Sequence, residues 1–456
     1  MILRKSPPEI SVKQENLSSF DNGFKSTCGV AQPDRYRHWT STPSDSYQIS
    51  RGAGLSLSAA SFGTGTLSIS HNKFNRILDF DSATGEVEVE AGIRLFSLHN
   101  FLVANGFFLP IQPGHGQISI GGCVAADIHG KNQIKDGTFL EQVISVKLFH
   151  PMHGILNLSR VSNADLFFLT CGGYGLTGHI LSVRLMTQVL PSQVVVTRIQ
   201  GFPDIDSGLQ LLSNEATKVD FIHSWHDFSQ TGKKYGSGMV FMSDFEVVKG
   251  YEGDPSKTRS VVPKSLGNRH RMPAASLVVN RLSIAALNSV YKKMNSTNIE
   301  GKRSDIAGAL FPIHHLQGYY YFLGSHGFHE YQVLLPKNVA ADYLKQLGTV
   351  AAELKIPITL ASGKIFGGEQ NLIRFSGEGV CFAINFLRSR QANVLLEWLD
   401  SNLVLYGGRP NLIKDSRLPR HIAEACYPEI DEFRMKLRSF DPKRLFRSEM
   451  SERLGL

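Results

Sequence analysis

The chain has 456 residues, with 48 Lys and Arg against 40 Asp and Glu, for a formal net charge of +8 at pH 7. That length exceeds what one hydrophobic core usually serves, so two or more domains are expected, and the ordinary composition excludes a repeat, collagen-like or disordered chain. No run approaches the ~20 apolar residues of a spanning helix, and there is no nucleic-acid-binding motif, so the scattered positive charge points to an anionic substrate, a nucleotide cofactor or an anionic lipid surface.

Five cysteines, Cys28, Cys123, Cys171, Cys381 and Cys426, lack metal-ligand spacing. They read as buried thiols of a reducing compartment, and no metal is expected. The opening MILRKSPPEISVKQE has no apolar core like that of a signal peptide. A cytoplasmic protein is expected, with peripheral membrane contact left open.

Residues 1 to 50 read as an irregular lead-in with short strands, and YQIS as a strand running into Arg51-Gly52-Ala53-Gly54-Leu55-Ser56. Consecutive exposed N–H groups in such a turn form an anion nest. It is not a Rossmann fingerprint, because GxGxxG is incomplete and no long helix follows. LSIS is a short strand. Two strands then meet at Thr84-Gly85, the second spanning 86 to 90 with its valines on one face. An amphipathic helix over Ile93 to Ala104 stops at Asn105-Gly106.

The stretch Pro113 to Lys131, PGHGQISIGGCVAADIHGK, stands apart from everything around it. It has no carboxylate pair, no CxxC and no Walker lysine. Its glycines at 114, 116, 121, 122 and 130 exceed what a surface turn needs. Glycine at this density is tolerated where backbone passes close to something flat, and the reading is a loop laid against a planar cofactor carrying phosphates. A short helix near 138 to 142, the hairpin QVISVKLFHP with MHGILNLS, and a helix ADLFFLTCG capped by Ser162 or Asn163 come next. A second glycine cluster, Cys171 to Ile180, leads into the strand ILSVRLM. Two separated glycine-rich loops predict an α+β domain clasping a cofactor between lobes, unlike the single crevice of a doubly wound sheet.

Near Pro191 the texture changes. VVVTRIQ, DFIHSWHDF, GFHEYQVLLP, FGGEQNLIRFS and VCFAINF read as strands, and helices are expected over DIDSGLQLLSNEATKV, 280 to 294, AADYLKQLGTVAAELK and QANVLLEWLDSNLVLYGG. Residues 250 to 275 and 295 to 308 are polar and aperiodic, expected as a mobile lid or partner-facing loops. The tail carries a helix near LPRHIAEACY. The expected division is a two-lobed domain over 1–195, a substrate domain with an antiparallel sheet and covering helices over 196–395, and a C-terminal segment over 396–456.

In order, RGAG, LDFDxxTGEVEVEAG, LPIQPGH, GGCVAADIHGKN and CGGYGLTG resemble the flavoprotein family of the PCMH/VAO type, built on the vanillyl-alcohol oxidase or p-cresol methylhydroxylase FAD-binding fold. Within it the pattern is most similar to the decaprenylphosphoryl-ribose 2'-oxidases, the flavin halves of a 2'-epimerase. GKIFG (363 to 367), GGRPNLIKDSR (407 to 417) and FDPKRLFRSEMSERLGL (440 to 456) extend the likeness to nearly the whole chain.

The resemblance implies an FAD held without a covalent tether, since Leu55 occupies the slot where many relatives carry the tethering histidine. Arg51, Gly52, Ala53, Gly54, Leu55 and Ser56 would form its pyrophosphate loop. Pro113, Gly114, Ser119, Gly121, Gly122, Cys123, Ala126, Asp127, His129 and Gly130 would wall the cofactor. Cys171, Gly172, Gly173, Gly175, Leu176 and Thr177 would be the second contact, with Ile180 on the adenine side. The C-terminal segment would return to the FAD domain and supply Lys414, touching cofactor and substrate. His129 would sit beside the flavin, Lys131 at the pocket entrance, and Trp225, Tyr319, Gln332, Lys364 and Asn385 on the substrate side.

The implied reaction is oxidation of a secondary hydroxyl of a lipid-phosphate-linked ribose to the 2'-keto sugar, as the first half of a 2'-epimerisation to arabinose for the cell wall. Lys414 or His129 would accept the hydroxyl proton or polarise its oxygen. The plainer readings are a salt bridge from Lys414 to Asp415 and a histidine that fixes its loop. Implied partners are a quinone-like electron acceptor, an NAD(P)H-dependent short-chain dehydrogenase for the ketone, and a membrane or polyprenyl phosphate, with no nucleic acid. Relatives carry a tyrosine at Leu57, a cysteine at Ala383 and an aspartate at Asn385, which points to a related but different substrate. An alditol or aldonolactone oxidase using oxygen on a soluble polyol is the first rival. A flavin-fold binding subunit without activity is the second.

Overall fold

A computed structural model describes residues 10–41, 45–230, 232–246, 272, 275–295, 298–311 and 317–456. Most of the expected loop over 250 to 275 lies outside the described residues.

Strands β1 (Val12–Ser18), β2 (Lys25–Ala31), β3 (Gln48–Arg51) and β4 (Leu67–Ser70) make a sheet in the order β1-β2-β4-β3. β3 runs parallel to β4, so the Gly52–Ser56 turn emerges at the carboxyl end of β3. In the second sheet β5 (Ile77–Asp81) and β6 (Glu86–Glu90) join three later strands. A two-residue β7 (Phe107–Phe108) precedes β8 (Val143–His150), β9 (Gly154–Ser159), β10 (His179–Met186) and β11 (Gln188–Val189). The order is β5-β6-β10-β8-β9, with β7 paired to β11 alone. Val87 and Val89 of β6 enter the core, as their alternation requires. Helix α1 (Leu95–Ala104) adds Leu95, Leu98 and Leu102 to the same core.

The central glycine stretch departs from the expected open loop. Residues Ile120–Ala125 form a short helix, α2. Gly121 permits it: its N–H donates to Ala91 O at 2.7 Å, and a Cβ there would stand 2.8 Å from Ala91 Cβ. The second glycine cluster hangs on α2, with Gly172 N donating to Val124 O at 3.0 Å and Tyr174 N to Ala125 O at 2.8 Å. α3 (Gln133–Asp136) and a 3-10 turn, Phe139–Gln142, follow. α4 (Ala164–Thr170) begins after Asn163, but no side chain caps it. Asn163 sits at φ 50° and its amide donates to Asn157 O instead.

The largest sheet contains β12 (Val194–Phe202), β13 (Phe221–His226), β14 (Gly238–Phe245), β15 (Asn298–Asp305), β16 (Phe328–Leu335), β17 (Ile358–Phe366), β18 (Gly379–Leu387) and β19 (Arg409–Pro410). Its order is β15-β12-β14-β13-β17-β18-β16-β19, and every pair is antiparallel. Two expectations are corrected here. The polar run 295 to 308 is mostly the edge strand β15, which needs no apolar alternation because solvent covers it; Arg303 pairs there with Glu246. FGGEQNLIRFS is not a strand after its first residue. Gly368, Leu372 and Gly377 hold φ of 85°, 48° and 109°, which no strand accommodates, and the strand is β17 just before it.

The covering helices are α5 (Ile205–Glu215), α6 (Ala275–Val278), α7 (Arg281–Met294), α8 (Ile306–Leu310), α9 (Gln317–Phe322), α10 (Lys337–Glu353) and α11 (Arg390–Leu405). Side chains of Asp204, Asn280 and Ser389 cap α5, α7 and α11. After these come α12 (Arg420–Cys426), α13 (Ile430–Phe440) and α14 (Glu449–Leu454), the last two not anticipated from the sequence. The chain end runs back along β3: Gln48 N donates to Leu445 O at 2.8 Å and Glu449 N to Phe62 O at 2.9 Å. The architecture is α+β, with mixed and antiparallel sheets and covering helices.

Gly121→Val tests the packing of α2. Overpacking at such a contact costs about 1–3 kcal/mol. The variant should unfold at lower urea even with no cofactor added, whereas an unchanged midpoint would mean that Gly121 serves only a ligand.

Candidate active site

The carboxyl end of β3, the start of α2 and the second glycine cluster enclose a mainly apolar cavity. It holds about 1010 Å³ of empty space, counting the part open to solvent. Gly52, Ala53, Gly54, Leu55 and Ser56 line it from one side. Ser119, Gly121, Gly122 and Ala126 line it from α2, and Gly175 and Ile180 from the second cluster. Lys414 closes one end beside Leu57 and Ile413.

The largest sheet supplies the other half of the site through strict alternation. Across its register Trp225 faces Ser362, Ser362 faces Ala383, and Ala383 faces Gln332. Lys364 pairs with Cys381, and Asn385 with Glu330. These residues and His223 therefore share one face. The opposite face, with Tyr331, Val333, Phe382 and Ile384, is buried in the core that includes α5, α10 and α11.

The segment after β19 couples the two halves. Asn411 N donates to Gln332 O at 2.8 Å, and Asn411 Nδ2 to Gln332 Oε1 at 2.7 Å. Ser58 N then donates to Ile413 O at 3.1 Å. Lys414 thus lines the cavity while its ammonium meets Glu330 Oε1 on the sheet at 2.9 Å. Its partner is Glu330 and not the adjacent Asp415, which pairs with Arg417.

His129 lies at the centre of the sheet-face cluster. Asn411 occupies the oxygen of Gln332, so the Gln332 amino group is what stands 3.3 Å from His129 Nε2. That nitrogen then accepts, while Nδ1 lies 3.3 Å from Gly130 O. Lys364 Nζ is 3.4 Å from Nδ1. Burial first, then the Lys364 charge, drives His129 well below its ordinary value. A neutral, hydrogen-bonded ring that holds its loop is the arrangement seen. Burial and then Lys364 pull Lys131 down to about 7. Burial also lowers Lys364, with Lys414 adding to it. Lys131 is buried, donating to Ala309 O, and does not stand at an open entrance.

Other anticipated residues fall elsewhere. Tyr319 OH meets Thr359 Oγ1 at 3.0 Å and accepts from Asn385 Nδ2 at 3.1 Å. Trp225 packs against Tyr291 of α7, centroids 5.0 Å apart. Arg51 turns to Ser61 and Phe62. Asp127 accepts from Thr138 Oγ1 and Leu140 N, both at 2.9 Å. Cys123, Cys171 and Leu176 point into core, and Thr177 pairs with Thr170. Pro113, Gly114, Gly130, Gly172 and Gly173 do not line the cavity. Cys381 does not fill the place of Ala383: it lies two residues along the strand, with its Sγ 3.5 Å from Gln332 Nε2. Sequence reasoning missed His71 and Gly178 on the cavity wall, and Glu330 and His223 on the sheet. Alternation along FHEYQ would have placed Glu330 beside Gln332. Nothing in the sequence marks His71.

Comparison with known proteins bears on this geometry. A family model described as an FAD binding domain matches residues 47–159, the part that supplies the first turn and α2. Decaprenylphosphoryl-beta-D-ribose oxidase of Mycolicibacterium smegmatis is 27% identical over 419 residues, 90% of this chain and 89% of that protein. The chain is an FAD-dependent oxidoreductase, similar in its FAD-binding part to that family. L-gulonolactone oxidase of Mus musculus is 34% identical over 113 residues, 25% of this chain and 26% of its own. The mitochondrial cytochrome-type D-lactate dehydrogenase of Arabidopsis thaliana is 34% identical over 125 residues, 26% of this chain and 22% of its own. The shorter likenesses thus cover about a quarter of this chain, whereas that to the ribose oxidase covers 90% of it.

The cavity of this oxidoreductase fits FAD. Its walls are glycine, alanine and serine, which let backbone approach a flat ring, and the Gly52–Ser56 turn presents successive N–H groups. His71, buried in the wall, has neither ring nitrogen satisfied among the described residues.

Buried imidazoles give the protein a pH signature. Burial lowers His226 to about 4, His71 to about 3 and His329 to about 2, and drives His129, His179 and His223 well down. Below about 6.5 the unfolded chain takes up protons that the folded chain refuses, so stability falls with pH. Each ring contributes up to about 1.4 kcal/mol per pH unit. Urea unfolding at pH 7 and pH 5.5 should show a clear loss at the lower value; equal stability would contradict neutral burial.

Proposed function

We propose that this oxidoreductase oxidises a secondary hydroxyl of a phosphate-linked ribose to the 2'-keto sugar, as the first half of a 2'-epimerisation to arabinose. The observation that carries the reading is the cluster of Lys131, Lys364 and Lys414 around His129 and His223, with Glu330 as the carboxylate paired to Lys414. The Lys364 charge lowers Lys131 and the Lys414 charge lowers Lys364, and this concentration of ammonium groups facing one carboxylate favours an anionic ligand over a neutral polyol or lactone.

FAD, when bound, supplies a hydride acceptor that turns the CH–OH into a ketone. Lys414, held by Glu330, is placed against the substrate oxygen, where it takes the hydroxyl proton as it passes one of its own to the Glu330 carboxylate. Lys364 and Lys131 meet the phosphate charge. His129, with Nε2 committed to Gln332, orients its loop instead of taking the hydroxyl proton. Leu55 and Leu57 join the cavity to a cluster of Phe20, Leu323 and Phe328, which suits an apolar substituent on the phosphate. Leu55 also offers no nucleophile for a flavin tether, in keeping with non-covalent FAD. Among the described residues no helix is long and apolar enough to cross a membrane, so a prenylated substrate would be met at the membrane surface. A quinone-like acceptor and an NAD(P)H-dependent short-chain dehydrogenase complete the proposed cycle.

The test is anaerobic flavin bleaching with a prenylphosphoryl ribose against free polyols and sugar lactones. Bleaching by the phosphodiester with a 2-keto product is expected, and Lys414→Met should abolish it. A phosphodiester keeps one charge from pH 6 to 8, while Lys131 loses its proton near 7. Its affinity should therefore rise as pH falls through 7, and Lys131→Met should flatten that dependence. Bleaching by a soluble polyol alone would overturn the reading in favour of an alditol or lactone oxidase.

A further inference from the structure

His71 directly follows β4 and is 3% exposed, yet it lines the cofactor cavity. Neither ring nitrogen has a hydrogen-bond partner among the described residues. Its neighbour His179 shows what a satisfied imidazole in the same cluster looks like. There Nδ1 is 2.7 Å from Ser50 Oγ and Nε2 is 3.0 Å from Gln48 Oε1. The two rings lie 5.8 Å apart, and Trp39 covers His71 at 4.6 Å. A buried polar side chain normally finds a partner. Of the two histidines, the unsatisfied one is the residue that lines the cavity.

The backbone fixes His71 beside the anion nest. Its N–H donates to Arg51 O at 2.9 Å, and Arg51 immediately precedes the Gly52–Ser56 turn. The position is also rigid: a Cβ on Gly92 would stand 2.0 Å from His71 O, so that carbonyl is closely backed by neighbouring chain. Burial keeps the ring neutral, with its pKa pushed down to about 3. A neutral imidazole carries one N–H, and the acceptor-rich part of FAD is its diphosphate.

We propose that His71 donates a hydrogen bond to the diphosphate of bound FAD, adding a side-chain contact to those of the glycine turn. The geometry that supports it is the pairing of an unpartnered, buried imidazole with a cavity wall next to a phosphate-cradling loop. His71 then acts on cofactor retention and has no part in hydride transfer or substrate choice.

The test uses apoprotein prepared from the full chain, with FAD, ADP and riboflavin as separate probes, followed by flavin fluorescence or by competition. H71F keeps a flat ring and removes both nitrogens. Loss of a hydrogen bond to a charged group should weaken FAD and ADP about tenfold or more while riboflavin binds as in the parent. Unchanged FAD affinity would overturn the proposal. Equal losses for ADP and riboflavin would overturn it too, since they would mark a packing defect. If H71F is insoluble, H71Q and H71L decide between an N–H donor and an apolar chain of similar size. Tighter ADP binding by H71Q is the expected result, and equal binding by the two refutes the contact. Because ADP binding needs no sugar substrate, this outcome is independent of which alcohol the enzyme oxidises.

Discussion

The site depends on the two unlike faces of the eight-stranded antiparallel sheet. Side chains alternate along every strand, and the helices bury one face through Tyr331, Val333, Phe382, Ile384 and their neighbours. Once that face is committed, register forces Trp225, Lys364, Cys381, Ala383, Asn385, Gln332 and Glu330 onto the other. A slip of one residue in β16 or β17 would move the charged groups into the apolar core, where an unpaired ammonium is not tolerated. The same burial that stabilises the fold therefore fixes the polar arrangement.

Connection between sheet and cavity rests on a few residues at the sheet edge. β19 is only Arg409–Pro410, but Asn411 takes both the backbone carbonyl and the amide oxygen of Gln332. This double contact orients the Gln332 amide, whose amino group faces His129 Nε2. Three residues later Lys414 reaches the cavity and Glu330 together. Asn411 thus bears on the hydrogen bond to His129 and on the aim of Lys414 without touching either ring or ammonium directly.

Much of this was legible in the sequence where a local rule was sufficient. The valines of β6, the period of α1 and α10 and the alternation through VCFAINF each follow from neighbours along the chain. The edge strand β15 was illegible because solvent imposes no pattern on it, and β17 because Ser362, Gly363 and Lys364 interrupt its apolar rhythm. Gly121 looked like a cofactor contact, yet its packing against Ala91 explains it as well. Resemblance to flavoproteins carried the positions of Lys364, Gln332 and Lys414. It said nothing of His71 or His223, whose surroundings are assembled from strands far apart in the chain.

The substrate-side lysines can be weighed against what they cost. Burying an ammonium without a counter-charge is expensive, and both Lys131 and Lys364 respond by losing proton affinity. A neutral sugar would leave them in that condition. On the proposed reading, an anion entering between them restores their charge and is rewarded for it, so discrimination comes from the protein's own unfavourable state as much as from new contacts. The apolar cluster at Leu57 acts on the other end of the ligand. Where relatives place a tyrosine hydroxyl, Leu57 packs with Phe20, Leu323 and Phe328, and Tyr319 brings a hydroxyl near by way of Thr359 and Asn385. Charge at one end and hydrocarbon at the other describe an amphiphile, and a free polyol satisfies neither.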